Sequence, residues 1–199
     1  MNIPVFPLHT VLFPQGILPL RIFEPRYIDM ISLCMKQGTG FGVCLIQQGS
    51  ETESNAAISQ IGTLGQITDF ETLKDGLLGI TVTGVQRFRL LNSRVDHAGL
   101  MHADIKLLEH ESNVNIPAQY HTLVDILRQI IDRFKPELGD LVEDYDNAYW
   151  VACRLTELLP LDMIERQLIL EMDQPYEQMQ RLLRLVATLP ASDQEDIPE

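Results

Sequence analysis

Residues 3–20 contain no formally charged side chain, yet Pro4, Pro7, Pro14 and Pro19 all fall inside that run. Its length is close to what a helix needs to cross a bilayer, but the prolines forbid that reading. Each one inside a helix removes a hydrogen bond and clashes with the preceding turn, at roughly 3 kcal/mol or more. In lipid the freed carbonyls would find no water partner. A secretory leader fits no better, since no basic stretch precedes Ile3 and no small-residue cleavage site follows the apolar run. Extended chain remains. Proline fixes its own φ and drives the residue before it into β space, so residues 5–6, 10–13 and 17–22 read as short strands of a soluble core. They are expected at sheet edges or bulges, where a missing donor does no harm.

The three cysteines, Cys34, Cys44 and Cys153, are odd in number, widely spaced and without a CxxC pair. That suggests neither a disulfide framework nor a zinc site, and points to a reducing, cytoplasmic compartment. A net charge of −13 opposes nucleic-acid binding, which needs Lys and Arg to displace counterions from phosphates. The charge is uneven. Residues 1–110 carry 8 Lys+Arg against 10 Asp+Glu, and residues 111–199 carry 7 against 18.

The hydrophobic period changes at the same place. Residues 1–112 read as a β-rich domain with one helix. Glu24-Pro25 opens that helix, with Tyr27, Ile28, Ile31 and Met35 as its apolar stripe, and Gly38 closes it. Strands follow at 41–46, 58–73, 77–84, 85–95 and 100–109, punctuated by glycine and by the hairpin signal "KDG" at 74–76, as in a small sandwich or barrel. The polar loop 47–57 is expected to be the most mobile part. Residues 113–190 read as a helical bundle. Its first helix spans 117–134, ended by Pro136 and Gly139; its second spans about 145–159, with Trp150 inward. A third, capped by Asp162 and Glu165, runs through Leu170, and a fourth starts at Asp173 and Pro175. The acidic tail 191–199 reads as disordered.

Motifs of chemistry are mostly missing. No Lys follows a Gly, so there is no phosphate-binding loop. "GTGFGV" precedes a strand instead of opening a helix, which makes it a turn and not a dinucleotide site. "HESNV" (110–114) has Val114 where the second His of a zinc-protease helix must lie. "DYDNAYW" (144–150) has Tyr149 in place of a calcium loop's glycine and Leu155 in place of its final Glu; it reads as an acidic helix start. No Ser sits in a GxSxG elbow. His97 and His102, or Cys34 and Cys44, would bind metal only if folding brought further ligands to them. The sequence therefore calls for no cofactor, no metal and no catalytic residue.

One resemblance is carried by long blocks. "IPVFPLHTVLFPQGILPLRIFEPRYIDMI" is similar to the N-terminal signature of the Lon protease substrate-binding (N-terminal) domain family, a proline-punctuated run ending in "LPLRIFEPRY" before a helix. "IGTLGQITDFETLKDGLLGITVTGVQRFRL" (61–90) resembles the family's "GT…I…DG…I.V.G..RF" strand pair, and residues 150–185 resemble its terminal helices. Gln178 departs from the Arg that many relatives carry. The resemblance implies an α+β fold: an N-terminal PUA-like β-barrel with one helix, followed by a C-terminal α-helical bundle. It also implies a stand-alone, non-enzymatic member whose partners are unfolded or extended polypeptides, or a protein for which it serves as an adaptor in quality control. With no phosphate loop, the ATPase of the full proteases is not carried over, and neither is their peptidase.

Within those blocks, "RIFEPRY" offers Arg21, Phe23, Glu24, Arg26 and Tyr27, the aromatic and Arg types that dominate interface energetics. Arg87 and Arg89, alternating with Phe88, are expected to face the same corner, and Trp150 to line a seam between the two domains. Arg21, Phe23, Glu24, Arg26, Tyr27, Arg87 and Trp150 are the polypeptide-binding candidates. Each has an alternative reading as a core residue or an intramolecular strut. Two other functions stay open: a small hydrolase whose site assembles only in the fold, and a PUA-like nucleic-acid binder. No membrane role is expected. Oligomeric state is not legible.

Overall fold

A computed structural model describes residues 1–51, 56–109, 114–138 and 143–188. The disordered tail expected at 191–199, part of the loop at 47–57 and most of "HESNV" lie outside these residues. The described part is α+β, with five α-helices and a seven-stranded, mostly antiparallel sheet.

The prolines of the first strand are accommodated by a change of partner. Strand β1 (Asn2–Leu8) pairs antiparallel with β7 (Met101–Leu107) from Asn2 to Val5, then parallel with β3 (Phe41–Gln48) from Val5 to Leu8. Only Val5 is held on both sides. Pro4 and Pro7 therefore each sit in a stretch with one free side, where a missing N–H is tolerated. The strand lies between two others in the sheet, but each half behaves as an edge.

Residues 10–13, expected as a strand, form none. Val11, Leu12 and Phe13 are buried all the same. Their polar groups are satisfied individually: Thr63 Oγ1 donates to the Leu12 carbonyl at 2.5 Å, and the Gly16 N–H to the Phe13 carbonyl at 2.9 Å. This corner closes against Gly84, where any side chain would run into the Phe13 carbonyl. Gly84 is thus a point of close approach inside a single strand, β6 (Leu78–Val95), and not the break between two strands that the sequence suggests.

Strand β6 organises the sheet. Its first part pairs with β2 (Ile17–Ile22) on one side and β5 (Ile61–Thr72) on the other; its second part pairs with β5 and β7. Bulges at Leu64/Gly65, Ile67/Asp69 and Leu90/Asn92 let these strands bend. The "KDG" turn joins β5 to β6, with Gly76 at φ 83°. A two-residue β4 (Ala57–Ile58) pairs with β3. From β1 the pairings pass to β7, β6, β5 and β3, and return to β1.

Helix α1 (Pro25–Gln37) buries Tyr27, Met30, Ile31 and Cys34 against Phe6, Phe41 and Val43. Ile28 and Met35, expected in this stripe, are 41% and 42% exposed. The buried face steps by three and four from Tyr27 through Met30 to Cys34, and both residues lie just off it. Gly38 ends the helix in the left-handed conformation.

The chain divides into two compact units, and the division departs from the one expected at 112/113. Thr156–Asp173 joins Met1–His110, while Glu111–Leu155 groups with Gln174–Glu199. Helix α4 (Met163–Glu171), capped by Asp162 on the Glu165 N–H at 2.8 Å, is therefore part of the sheet's unit. The reason is polar. Arg87 is 1% exposed, and its guanidinium donates to the Leu170 and Met172 carbonyls at 2.7 and 2.8 Å and pairs with Asp173 at 3.1 Å. Gln167 Nε2 adds a bond to the Ile61 carbonyl at 3.0 Å. Arg87 serves as a C-terminal cap for α4.

In the second unit, α2 (His121–Leu138) runs two residues past Pro136, where the sequence predicts that it ends. α3 (Ala148–Leu158), which starts in this unit and whose last three residues group with the first, is capped by Asn147, whose Oδ1 accepts from the Tyr149 and Trp150 N–H groups at 3.1 and 3.4 Å. α5 (Pro175–Val186) buries Gln178, Met179 and Leu182. Tyr176, expected inward, is 44% exposed; its ring stacks on Tyr120 and its hydroxyl donates to the Asn115 carbonyl at 3.0 Å.

Arg87→Ala will strand the buried Leu170 carbonyl and the partly buried Met172 carbonyl, and we expect it to cost about 3 kcal/mol or more in denaturant unfolding. Asp173→Ala will cost less than about 1 kcal/mol, because the Asp173 side chain is 64% exposed. Equal losses would contradict the capping role.

Candidate functional site

The segment that carries "RIFEPRY" splits into an exposed part and a rigid part. Alternation along β2 turns Leu18, Leu20 and Ile22 toward the core and leaves Ile17, Pro19 and Arg21 outside. Phe23, just past the strand, is 60% exposed, and Arg21 pairs with Asp75 of the hairpin turn. Phe23 is therefore not a core residue.

Glu24, Arg26 and Tyr27 form a fixed corner. Arg26 Nε donates to Glu24 Oε2 at 2.9 Å, and its two terminal nitrogens donate to the carbonyls of Gly99 at 2.7 Å and Glu51 at 3.0 Å. The same guanidinium lies 4.7 Å over the Tyr27 ring, which stacks on Phe6 at 3.8 Å. Gly99 is presented by a turn that Asp96 ties together. That carboxylate is held below its ordinary range first by the Leu100 N–H, then by His102 and the Ala98 N–H. Burial pushes the Tyr27 hydroxyl up to about 12, against the opposing pull of Arg26.

Between the exposed strand and the rigid corner lies a groove of about 260 Å³. Phe6, Leu8, Leu20, Ile22 and Tyr27 give it apolar walls, with Phe23 at its lip and His9, Glu24 and Glu51 on its rim. A second depression of about 190 Å³ crosses the outer face from Pro19 and Arg21 over Gly79 to Asp69, Phe70 and Glu71. The structure thus brings Arg21, Phe23, Glu24 and Tyr27 to one groove, supported by Arg26 from behind. It does not bring Arg87, which caps α4, nor Trp150, which is 2% exposed in the second unit beside Tyr145.

Several lining residues had no signal in the sequence. Glu51 belongs to a polar loop, yet its Oε1 accepts from the His9 N–H at 3.0 Å. Phe70 alternates with charged residues in β5 and is 59% exposed; its place opposite Ile80 follows only from the register.

The second unit has a cleft of about 550 Å³ with His121, Asp125, Arg128, Tyr145 and Asp146 among its lining, and no Ser, Thr or Cys. Among the described residues no group of three His, Cys, Asp or Glu is placed to hold a metal ion. His102 pairs with Asp96 at 3.2 Å, and the Cys44 thiol is pushed up to about 12 by burial. No described helix is long and apolar enough to cross a membrane.

Tyr27 has its hydroxyl raised in the folded chain relative to its value of 10 in the unfolded one. Its contribution is therefore complete below pH 10 and is lost as pH rises through about 12. Tyr27→Phe will remove that loss. The stability difference between parent and variant will shift in the variant's favour from pH 10 to 12 in denaturant titrations; a pH-independent difference would contradict it.

Comparison with known proteins agrees on one family. The profile of the ATP-dependent protease La (LON) substrate-binding domain matches residues 2–188. Among curated relatives, Lon protease 2 of Herpetosiphon aurantiacus is 26% identical over 190 residues, covering 92% of this chain and 23% of that protein. Lon protease 2 of Myxococcus xanthus is 25% identical over 193 residues, with the same coverage. The chain thus spans about a quarter of the length of these relatives. Among solved structures, a Lon N-terminal domain protein from Xanthomonas campestris superimposes with a TM-score of 0.78 at 34% identity, covering 96% of this chain and 99% of that one. The N-terminal domain of a Mycobacterium avium complex Lon protease has a TM-score of 0.66 at 13% identity over 94% and 99% of the two chains, a likeness of fold alone. On these matches and this fold, the chain belongs to the LON substrate-binding domain family.

Proposed function

We propose that this chain is a non-enzymatic polypeptide-binding domain that holds unfolded or extended protein segments in the groove beside β2, as a substrate receptor or adaptor in protein quality control. The observation that carries this reading is the pairing of an exposed aromatic with a fixed support. Phe23 is 60% exposed at the lip of an apolar groove, and the three bonds of Arg26 hold the corner beneath it. An aromatic on a preorganised edge costs little entropy to immobilise and offers a large apolar contact, the usual composition of a hot spot. The family's description as a substrate-binding domain, and the Xanthomonas campestris protein at 34% identity, support the same reading.

In this reading the sheet pairings that return to β1 make the PUA-like barrel and the second unit's helices the bundle. Cys34, Cys44 and Cys153 work as thiols in the cytoplasm. The net charge of −13 weighs against a nucleic-acid ligand. Arg21, Phe23, Glu24 and Tyr27 are the residues proposed to meet the ligand, with Arg26 in a positioning role.

Titration of a fluorescently labelled, reduced and alkylated polypeptide will give saturable binding by anisotropy. The label belongs on the ligand because Trp150 is buried, in the other compact unit. Phe23→Ala will weaken binding by about ten-fold while moving stability by less than about 1 kcal/mol, as for an exposed position. Absence of saturable binding, or a fully active Phe23→Ala protein, would overturn the proposal.

A further inference from the structure

The open side of β2 presents an unpaired main chain, and its phase is fixed by one hydrogen bond. The Gly84 N–H donates to the Gly16 carbonyl at 2.9 Å, directly before the register Ile17↔Thr83 to Ile22↔Leu78 begins. Antiparallel pairs alternate between those that exchange hydrogen bonds and those that do not. Leu18, Leu20 and Ile22 therefore exchange bonds with β6, and Ile17, Pro19 and Arg21 point their peptide groups away from it. The proline confirms the phase, because its missing donor falls on the outward side. Among the described residues no strand pairs with that side.

A second open edge makes a useful contrast. Beyond Gly65, β5 pairs with β6 alone, and there it carries Asp69, Glu71 and the Ile67/Asp69 bulge. Charges and bulges of this kind keep an edge from recruiting another strand. The β2 edge has one proline and one arginine, and that arginine is already neutralised by Asp75. Beside it lies the apolar groove, walled opposite by Phe6 and Leu8, where β1 has lost β7 as a partner.

We infer that this edge accepts an extended segment of a client polypeptide as an added β-strand. The segment carries apolar side chains at every second position and basic ones between them. The phase dictates the apolar alternation, since ligand residues on the same face as Leu18 and Leu20 enter the groove over Phe6, Leu8 and Tyr27. Charge complementarity dictates the basic residues. The intervening residues share the outer face with Ile17, Pro19 and Arg21, where the Asp69 and Glu71 carboxylates line the same depression as Arg21 and that arginine is already paired with Asp75. Ile17 and Arg21 each offer a donor and an acceptor, and Pro19 only an acceptor. This inference rests on the polypeptide-binding reading and adds the mode of capture.

The test uses a fluorescein-labelled peptide of about ten residues alternating valine and lysine, in three forms: unmodified, N-methylated at every valine, and N-methylated at every lysine. Strand addition uses the N–H groups of only one alternate set. One methylated form will therefore bind about ten-fold or more weakly, and the other within about two-fold of the unmodified peptide. The matching valine–glutamate peptide will bind more weakly than valine–lysine at the same salt. On the protein side, Arg21→Pro deletes an outward N–H that β6 does not use, and will weaken the peptide well beyond Arg21→Ala at an unchanged unfolding midpoint. Equal effects of the two methylation patterns, or no effect of either, would overturn strand addition, and they do so with unaltered protein whether or not Arg21→Pro folds. If the alkylated polypeptide of the preceding experiment still binds, only the mode of capture falls; if it does not, the polypeptide-binding reading falls with it.

Discussion

Val5 is the residue on which the sheet turns. It pairs with Met101 on one side and Gly42 on the other, and nowhere else is β1 held from both. A strand that passes from an antiparallel partner to a parallel one within seven residues leaves each half with a bare side. Pro4 and Pro7 occupy those bare sides at no cost in hydrogen bonds. The handover also lets the pairings return from β3 to β1, burying Ile3, Val5, Cys44, Phe88 and Met101 together and setting Phe6 and Leu8 to face α1. Had β1 continued along β7, Phe6 and Leu8 would have no groove to line. The proline-rich start is therefore the means by which the chain makes one strand serve two partners.

Polar groups fix what burial leaves loose. Three irregular segments meet at Arg26: the start of α1, the turn at Gly99 and the loop at Glu51. None belongs to a ladder, so none would keep a fixed place by strand pairing. A guanidinium suits the task because its donors form a rigid planar fork that reaches several acceptors at once, and it stacks on Tyr27 as well. Arg87 does the same for the end of α4. In both places an arginine stands where regular structure stops, and in both the acceptors are mainly carbonyls, buried at Leu170 and partly buried at Met172, Gly99 and Glu51.

How far the sequence reveals these arrangements depends on their range. Features set by near neighbours are legible: the prolines exclude helix, "KDG" marks the β5–β6 turn, Glu24-Pro25 opens α1, and Asp162 caps α4. Features set by distant partners are not. Gly84 looks like a turn until Phe13 is seen against it. Residues 10–13 look like a strand because their burial is that of one, though their hydrogen bonds go to Thr63 and to their own turn. α4 has the pattern of a bundle helix, while the bonds of Arg87 and Gln167 tie it to the sheet. For the candidate site, the segment singled out in the sequence lines one groove, whereas Arg87 caps α4 and Trp150 is buried in the other unit. Arg87 and Trp150 have the residue types of a binding surface, but type carries no information about exposure.

An open edge also supplies a form of selectivity that a side-chain pocket would not. A folded protein has committed most of its main-chain donors and acceptors to its own ladders and helices, and its remaining sheet edges are commonly guarded by charges, prolines and bulges. An unfolded segment has an extended run to offer β2 wherever prolines are sparse. If β2 captures clients as proposed, recognition through peptide groups would separate unfolded from folded chains before any side chain is read, and the groove over Phe6 and Leu8 would favour segments with apolar alternation. Because the peptide groups of β2 are set by its register with β6, such a surface survives wide change in side-chain identity as long as the fold is kept. The fold is indeed kept at 13% identity in the mycobacterial domain. A receptor for many unrelated clients requires that combination of fixed main chain and permissive side chains.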